Sequence, residues 1–141
     1  MKKVVVTGGA GFIGSHLTEL LLSRGYHVII IDDFSTGKMA NIEPLLKNMK
    51  VDFIQGSITE LPLLQNLFQG VDFVFHQAAL SSVPRSIEDP LSTNKVNITG
   101  TLNVLLAARD NNVKKVMSTT ITSSTYCLVF NTNVPMYFSS L

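Results

Sequence analysis

Lys3-Val4-Val5-Val6-Thr7-Gly8-Gly9-Ala10-Gly11-Phe12-Ile13-Gly14-Ser15-His16-Leu17 is the stretch on which the reading of this 141-residue chain turns. Val4 to Thr7 is short, apolar and β-branched, the composition of a strand buried on both faces of a parallel sheet. Glycines follow at positions 8, 11 and 14. The apolar residues Ile13, Leu17, Leu20 and Leu21 then recur at helical spacing, and Gly25 ends that helix just after Arg24. A glycine-rich turn between a buried strand and an amphipathic helix suits a pyrophosphate. Backbone can approach the phosphates closely, and the helix start turns free N–H groups and a positive dipole end toward them.

The pattern repeats outward. Val28 to Ile31 is a second apolar strand, and Asp32 follows it, 18 residues beyond Gly14. A carboxylate there accepts hydrogen bonds from an adenosine ribose and repels a 2′-phosphate, which favours NAD over NADP. Val51 to Gln55, Val71 to His76 and Val113 to Thr119 read as three more strands. Between them lie a short helix over Asn41 to Asn48, a helix capped by Thr59 and running to Gln69, and a long helix from Asp89-Pro90 to Asn111. Ala78 to Glu88, with Pro84, reads as a loop. Strands alternating with helices predict an α/β fold: a Rossmann-type parallel sheet with helices on both faces and ligands beyond the carboxyl ends of the strands. His76-Gln77-Ala78-Ala79 ends the fourth strand. Its alanines leave room for a cofactor, or serve only to pack.

Composition sets bounds. Charged residues make up 15% of the chain, against roughly 25% in typical soluble proteins. Eleven Lys and Arg against ten Asp and Glu leave a net charge of +1, which argues against a nucleic-acid domain and against an acidic disordered chain. All of these charges precede Met117, so residues 117–141 carry none. The lone Cys127 reads as a small core residue and fits a reducing compartment. His16 and His27 lack ligand spacing, and no metal site is expected. The apolar runs are too short for a signal peptide or a membrane span, so the expectation is a cytoplasmic protein without membrane attachment.

At these residues the chain resembles the extended short-chain dehydrogenase/reductase superfamily. The segment HQAALSSVPRSI (76–87), with Asp89-Pro90, Asn94, Asn97, Gly100 to Asn103 and Ala107 to Arg109, narrows the resemblance to nucleotide-sugar epimerases. UDP-N-acetylglucosamine and UDP-glucose 4-epimerases are the nearest kinds. The resemblance covers Lys2 to Lys115 and implies NAD as cofactor, a UDP-sugar as substrate and isomerase activity. It implies that Gly8, Gly11, Phe12, Ile13 and Gly14 contact the pyrophosphate and Asp32 the ribose. Asp33, Ser35 and Gly37 lie nearby, and Ser57 and Ile58 flank the adenine. Ala78 and Ala79 line the cofactor, and Asn97 sits close to it. Ser81 and Ser82 face the sugar nucleotide, and Arg85 is either a substrate contact or part of a structural ion pair. It also implies homodimers through the helix after Asp89. In the implied reaction, hydride leaves C4 of the sugar for NAD and returns to the other face, with a Tyr-x-x-x-Lys tyrosine as base.

Two departures stand out. Ser57 occupies a position where the family has aspartate to accept from the adenine amino group, so weaker cofactor binding is expected. After Lys115 the match thins: Thr122 to Tyr126 resembles the family's serine-rich turn, which puts Thr122 at the catalytic Ser/Thr position or in a plain polar turn. No Tyr-x-x-x-Lys occurs in the chain. The expectation is therefore a Rossmann region over 1–116, a divergent tail over 117–141, a sheet truncated after about five strands, no substrate domain and no complete active site. A sugar-nucleotide dehydratase, an NAD(P)-dependent reductase relative and a binding-only nucleotide module are the alternatives.

Overall fold

β1 (Lys3–Thr7) is an interior strand of a six-stranded sheet, flanked by β2 (His27–Asp32) and β4 (Phe73–His76). With β3 (Val51–Gln55), β5 (Lys115–Thr119) and β6 (Cys127–Phe130) the order is β3-β2-β1-β4-β5-β6. The structure, a computed structural model, describes residues 1–119 and 127–130. The first five strands are parallel, in the register Val4↔Val28, Val28↔Val51, Val4↔Phe73 and Phe73↔Lys115. The strand order reverses between β1 and β4, so a crevice opens above their carboxyl ends.

Alternation along β1 divides the core. Val4 and Val6 join Val28, Ile30, Leu21 and Ile42 on one face, with α1 (Phe12–Ser23) and α2 (Met39–Ile42). Val5 joins Ile29, Ile31, Val74, Leu64, Phe68, Val104 and Ala107 on the other, with α3 (Leu61–Leu67) and α6 (Thr101–Asp110). A strand buried on both faces must be apolar at every position, which is why these strands read as continuous runs. The Rossmann-type sheet with helices on both faces is thus as expected.

Three local readings change. Thr59 does not cap α3, because its hydroxyl and amide both lie against the Ser57 hydroxyl, at 2.9 and 3.2 Å; Glu60 stands at the N-cap. The short helix splits at Pro44 into α2 and a 3₁₀ turn, Leu45–Lys47. The stretch read as a loop contains α4 (Val83–Glu88), because Ser82 caps it and Pro84 falls in its first turn, where a missing N–H costs nothing. The long helix does begin at Asp89, whose carboxylate accepts from the Ser92 amide at 3.0 Å. It runs through α5 (Pro90–Asn94), a π-helical segment (Lys95–Gly100) and α6.

β6 adds a sixth strand to the expected five, and it is antiparallel, pairing Val116 with Phe130 and Thr119 with Cys127. Seven residues, 120–126, separate β5 from β6. A parallel neighbour needs a crossover of about a dozen residues or more, so only an antiparallel return fits that length.

Gly25 sits at φ +83° just past α1, with its amide on the Leu22 carbonyl and the Tyr26 amide on that of Leu21. This is a Schellman closure. No atom lies within 4 Å of a Cβ built there. Gly25→Ala is therefore expected to cost about 1 kcal/mol from backbone strain alone, read as a lowered urea midpoint with unchanged slope. Among the described residues, no helix is long and apolar enough to cross a membrane.

Candidate functional site

The crevice is a shallow cleft lined by residues from four carboxyl-end segments. Gly8 comes from the turn after β1 and Ile31, Asp32, Asp33, Ser35 and Thr36 from the end of β2. Gly56 and Ile58 follow β3, and Ala78, Ala79 and Leu80 follow β4. Val96 reaches it from the π-helical segment.

At the turn after β1, Gly14 lets α1 pack directly on the loop. A Cβ there would overlap the Gly8 carbonyl oxygen and come within 2.7 Å of the Gly9 Cα. A Cβ on Gly8 would lie 2.7 Å from the Ala78 nitrogen, so β1 and β4 can place their loops side by side only with glycine here. Gly11 is the N-cap of α1 and offers no side-chain acceptor, and no carboxylate lies in the first turn. The amides of Phe12, Ile13 and Gly14 have no intrahelical partner by position, and the positive helix end is left for an anion from outside. Phe12 and Ile13 are 77% and 62% exposed, which is unusual for large apolar side chains.

Asp32 is buried beside this loop. One carboxylate oxygen accepts from the Ala10 amide at 2.9 Å and the other from the Phe34 amide at 2.8 Å. A carboxylate has about four acceptor positions, so two remain for ribose hydroxyls. Asp32 thus also ties the glycine loop to the end of β2. Gly37 is not in the cleft lining but packs on Ala10 and Asp32, where a Cβ would meet either at 2.9 Å. Asp33 accepts from the Ser35 amide at 2.9 Å and shapes the exposed rim.

Ile58 is buried in the core while touching the cleft, and its carbonyl accepts from the Asn103 side chain at 3.1 Å. Ser57 stands next to it, its hydroxyl engaged with Thr59. Asn97 does not line the cleft. Its side-chain amide is committed to Leu80, accepting from the amide and donating to the carbonyl, both at 2.8 Å. Ser81, Ser82 and Arg85 lie exposed and outside the cleft lining, and the Ser82 hydroxyl accepts from the Arg85 amide at 3.4 Å. None of the ion pairs among the described residues includes Arg85. Thr122 and Tyr126 lie outside the described residues, as does the side chain of Cys127. Among the described residues no cluster of His, Cys, Asp and Glu could hold a metal.

Sequence reasoning missed Ile31, Thr36, Gly56, Leu80 and Val96 in the lining. It also missed the hydroxyls of buried Thr7 and half-buried Thr101, which bracket the His76 ring at 2.7 and 2.9 Å. Burial holds the His76 pKa down to about 4. Thr36 shares the loop of Asp32 and could have been included; the two threonines carry no local signal.

The donors, the carboxylate and the small-residue floor of this cleft fit a dinucleotide. Residues 5–131 match the family described as GDP-mannose 4,6 dehydratase. The chain is 41% identical over 107 residues to UDP-glucuronic acid decarboxylase 1 of Arabidopsis thaliana, across 76% of this chain and 23% of that one. It superposes on UDP-N-acetylglucosamine 4-epimerase of Methanobrevibacter ruminantium, solved with UDP-N-acetylmuramic acid, at TM-score 0.73. That pair is 42% identical, over 82% of this chain and 36% of the other. UDP-glucose 4-epimerase of Thermus thermophilus, solved with NAD, gives TM-score 0.72 and 40% identity over 81% and 36%. The chain spans between 23% and 36% of the length of these relatives. With the fold and the glycine turn in agreement with a family match over residues 5–131, the chain belongs to the NAD-dependent nucleotide-sugar epimerase/dehydratase family.

Proposed function

We propose that this chain binds NAD and forms the cofactor-binding portion of a nucleotide-sugar 4-epimerase of the UDP-N-acetylglucosamine or UDP-glucose kind. The cleft at the strand reversal carries the reading, because it is lined by Gly8 of the turn that leads into an uncapped helix N-terminus and by a half-satisfied carboxylate. The amides of Phe12, Ile13 and Gly14 take the pyrophosphate across Gly8 and Gly11. Asp32 takes the ribose, with Asp33, Ser35 and Gly37 shaping that edge. Ser57 and Ile58 meet the adenine, and Ala78 and Ala79 form the floor. Asn97 acts through Leu80. Ser81, Ser82 and Arg85 face the sugar nucleotide. Bound NAD supplies the hydride acceptor.

The catalytic set is incomplete in this reading. Residues 1–141 hold no Tyr-x-x-x-Lys, and Thr122 alone does not make a base. The region 1–116 is the cofactor part and 117–141 a divergent tail. A calorimetric titration with NAD beside an epimerisation assay on UDP-N-acetylglucosamine tests this. Saturable NAD binding that raises the melting temperature, without turnover, is the expected result. A melting temperature indifferent to saturating NAD overturns the binding claim, and turnover by the chain alone overturns the claim of incompleteness.

Asp32→Asn leaves either the Ala10 or the Phe34 amide facing an NH₂ group. It is expected to weaken NAD about tenfold and to narrow the preference over NADP, both read by fluorescence titration. A sugar-nucleotide dehydratase is the second reading, favoured by the description of the matching family. Conversion of a nucleoside-diphosphate hexose to its 4-keto-6-deoxy form by a chain carrying the Tyr-x-x-x-Lys segment would support it.

Pairing with a second copy through the helix after Asp89 is part of the proposal, because Leu91, Ile98 and Leu102 are exposed along it. Leu91→Glu should then shift the species seen by light scattering from dimer to monomer. A single cysteine and NAD chemistry suit the cytoplasm.

A further inference from the structure

Thr7, His76 and Thr101 form a chain of side-chain hydrogen bonds that runs from the buried Thr7 through the buried His76 ring to the half-buried Thr101, between the cleft floor and the long helix. Its direction follows from counting protons. The Thr101 hydroxyl donates its single hydrogen to the Asn97 carbonyl at 2.7 Å. Toward His76 Nε2, 2.9 Å away, Thr101 can therefore only accept, so Nε2 carries the ring proton. At the other end, the Thr7 hydroxyl accepts from the Gln77 and Ala78 amides, each at 3.2 Å. His76 Nδ1 lies 2.7 Å from that hydroxyl. Burial disfavours the imidazolium, so the ring is neutral and Thr7 donates to Nδ1.

Every bond then runs one way: from the Gln77 and Ala78 amides to Thr7, to Nδ1, from Nε2–H to Thr101, and on to the Asn97 carbonyl. Asn97 closes the path by gripping the Leu80 backbone on both its amide and its carbonyl. The helix carrying Asn97 is π-wound over Lys95–Gly100, between the alanine loop and Thr101. A π turn inside an α-helix commonly marks a place where side-chain geometry has displaced the ordinary ladder for function.

We propose that His76 is a positioning residue whose neutral, Nε2-protonated ring fixes the Gln77–Leu80 loop between β1 and the π-helical segment and so sets the floor of the cofactor cleft. The cofactor part of this claim rests on the NAD-binding reading; the tautomer and the loop order do not. Single-direction hydrogen-bond chains strengthen one another in a low-dielectric interior, which gives the loop a rigidity its exposed neighbours lack. Side chains set against the ring from β1, β5 and α6 are Thr7, Ser118 and Thr101, none of them titratable.

Imidazole ¹⁵N spectra of the free chain, amide exchange and NAD titration test the proposal together. His76 should show the Nε2–H tautomer alone, unchanged down to about pH 5. His76→Leu should speed exchange of the Leu80 amide about tenfold or more and weaken NAD by a similar factor. His76→Gln, which keeps a donor toward Thr101, should recover most of both. If His76→Leu does not fold, Thr101→Val breaks the same path and carries the same expectation. An Nδ1–H tautomer, a ring titrating near its ordinary pKa, or Leu80 exchange unchanged in a folded variant overturns the proposal. Wild-type chain that fails to bind NAD while showing the expected tautomer and exchange sinks the functional reading and leaves the positioning role standing.

Discussion

Gly14→Ala should remove NAD binding and lower stability by about 3 kcal/mol, the upper range for overpacking a close contact. The added methyl has nowhere to go. Its nearest neighbours are the Gly8 carbonyl oxygen and, at 2.7 Å, the Gly9 Cα, both main-chain atoms of the turn that faces the phosphates. Relief requires α1 to lift from the loop. That movement takes the amides of Phe12 and Ile13 away from the anion they serve and strains the Ala10 amide bond to Asp32, 2.9 Å in the native fold. Urea unfolding with and without NAD checks both effects. Gly100→Ala is the useful comparison, because the nearest atoms to its methyl would belong to the Ile58 side chain, at 2.5 Å from Cδ1, and not to main chain of the glycine turn. It should destabilise less and leave the phosphate end of NAD binding intact. Equal effects at the two sites would show that the close approach at Gly14 has no special part in binding.

Acidification should cost about 3 kcal/mol between the ordinary histidine value of 6.5 and pH 4. The folded ring, 4% exposed, stays neutral until about pH 4. The unfolded chain takes up a proton on His76 from about pH 6.5 downward. Above 6.5 both states are neutral and His76 contributes no pH dependence. Through the window the unfolded state gains, each unit costing about 1.4 kcal/mol, and below pH 4 the loss levels off. Asp72, Asp89 and Asp110 titrate beneath this window. The Lys114 hydrogen bond, the Ser92 hydrogen bonds and the Arg109 hydrogen bond, respectively, hold them below 3.8, so stability they contribute is lost only at lower pH. Unfolding free energies at about pH 7, 5.5 and 4.5 should therefore fall steeply for the native chain and far less for His76→Gln. Parallel slopes for the two proteins would refute a buried neutral His76.

The glycine turn and Asp32 were legible because their signals are local. Four consecutive residues, Val4 to Thr7, show a doubly buried strand, and glycine spacing over seven positions shows where a helix must meet a loop. α4 was not legible, since Ser81 to Arg85 is polar, exposed and contains proline, the composition of a loop. Thr59 resembled a helix cap by residue type, and only its contact with Ser57 shows otherwise. The direction of β6 also follows from chain length, but that it pairs at all is a matter of sheet register.

Fold class, the place of the dinucleotide turn and the family are all written in the order of the residues, because hydrophobic period and glycine spacing are properties of near neighbours. Nothing in that order says that Asn97 spends its side chain on Leu80, that Asp32 braces the glycine loop as well as facing the cleft, or that His76 is held between two threonines. Those bonds join residues 17, 22, 25 and 69 positions apart. Partners at such separations are chosen by which strands pair and in what register, and that choice is made only when the sheet assembles.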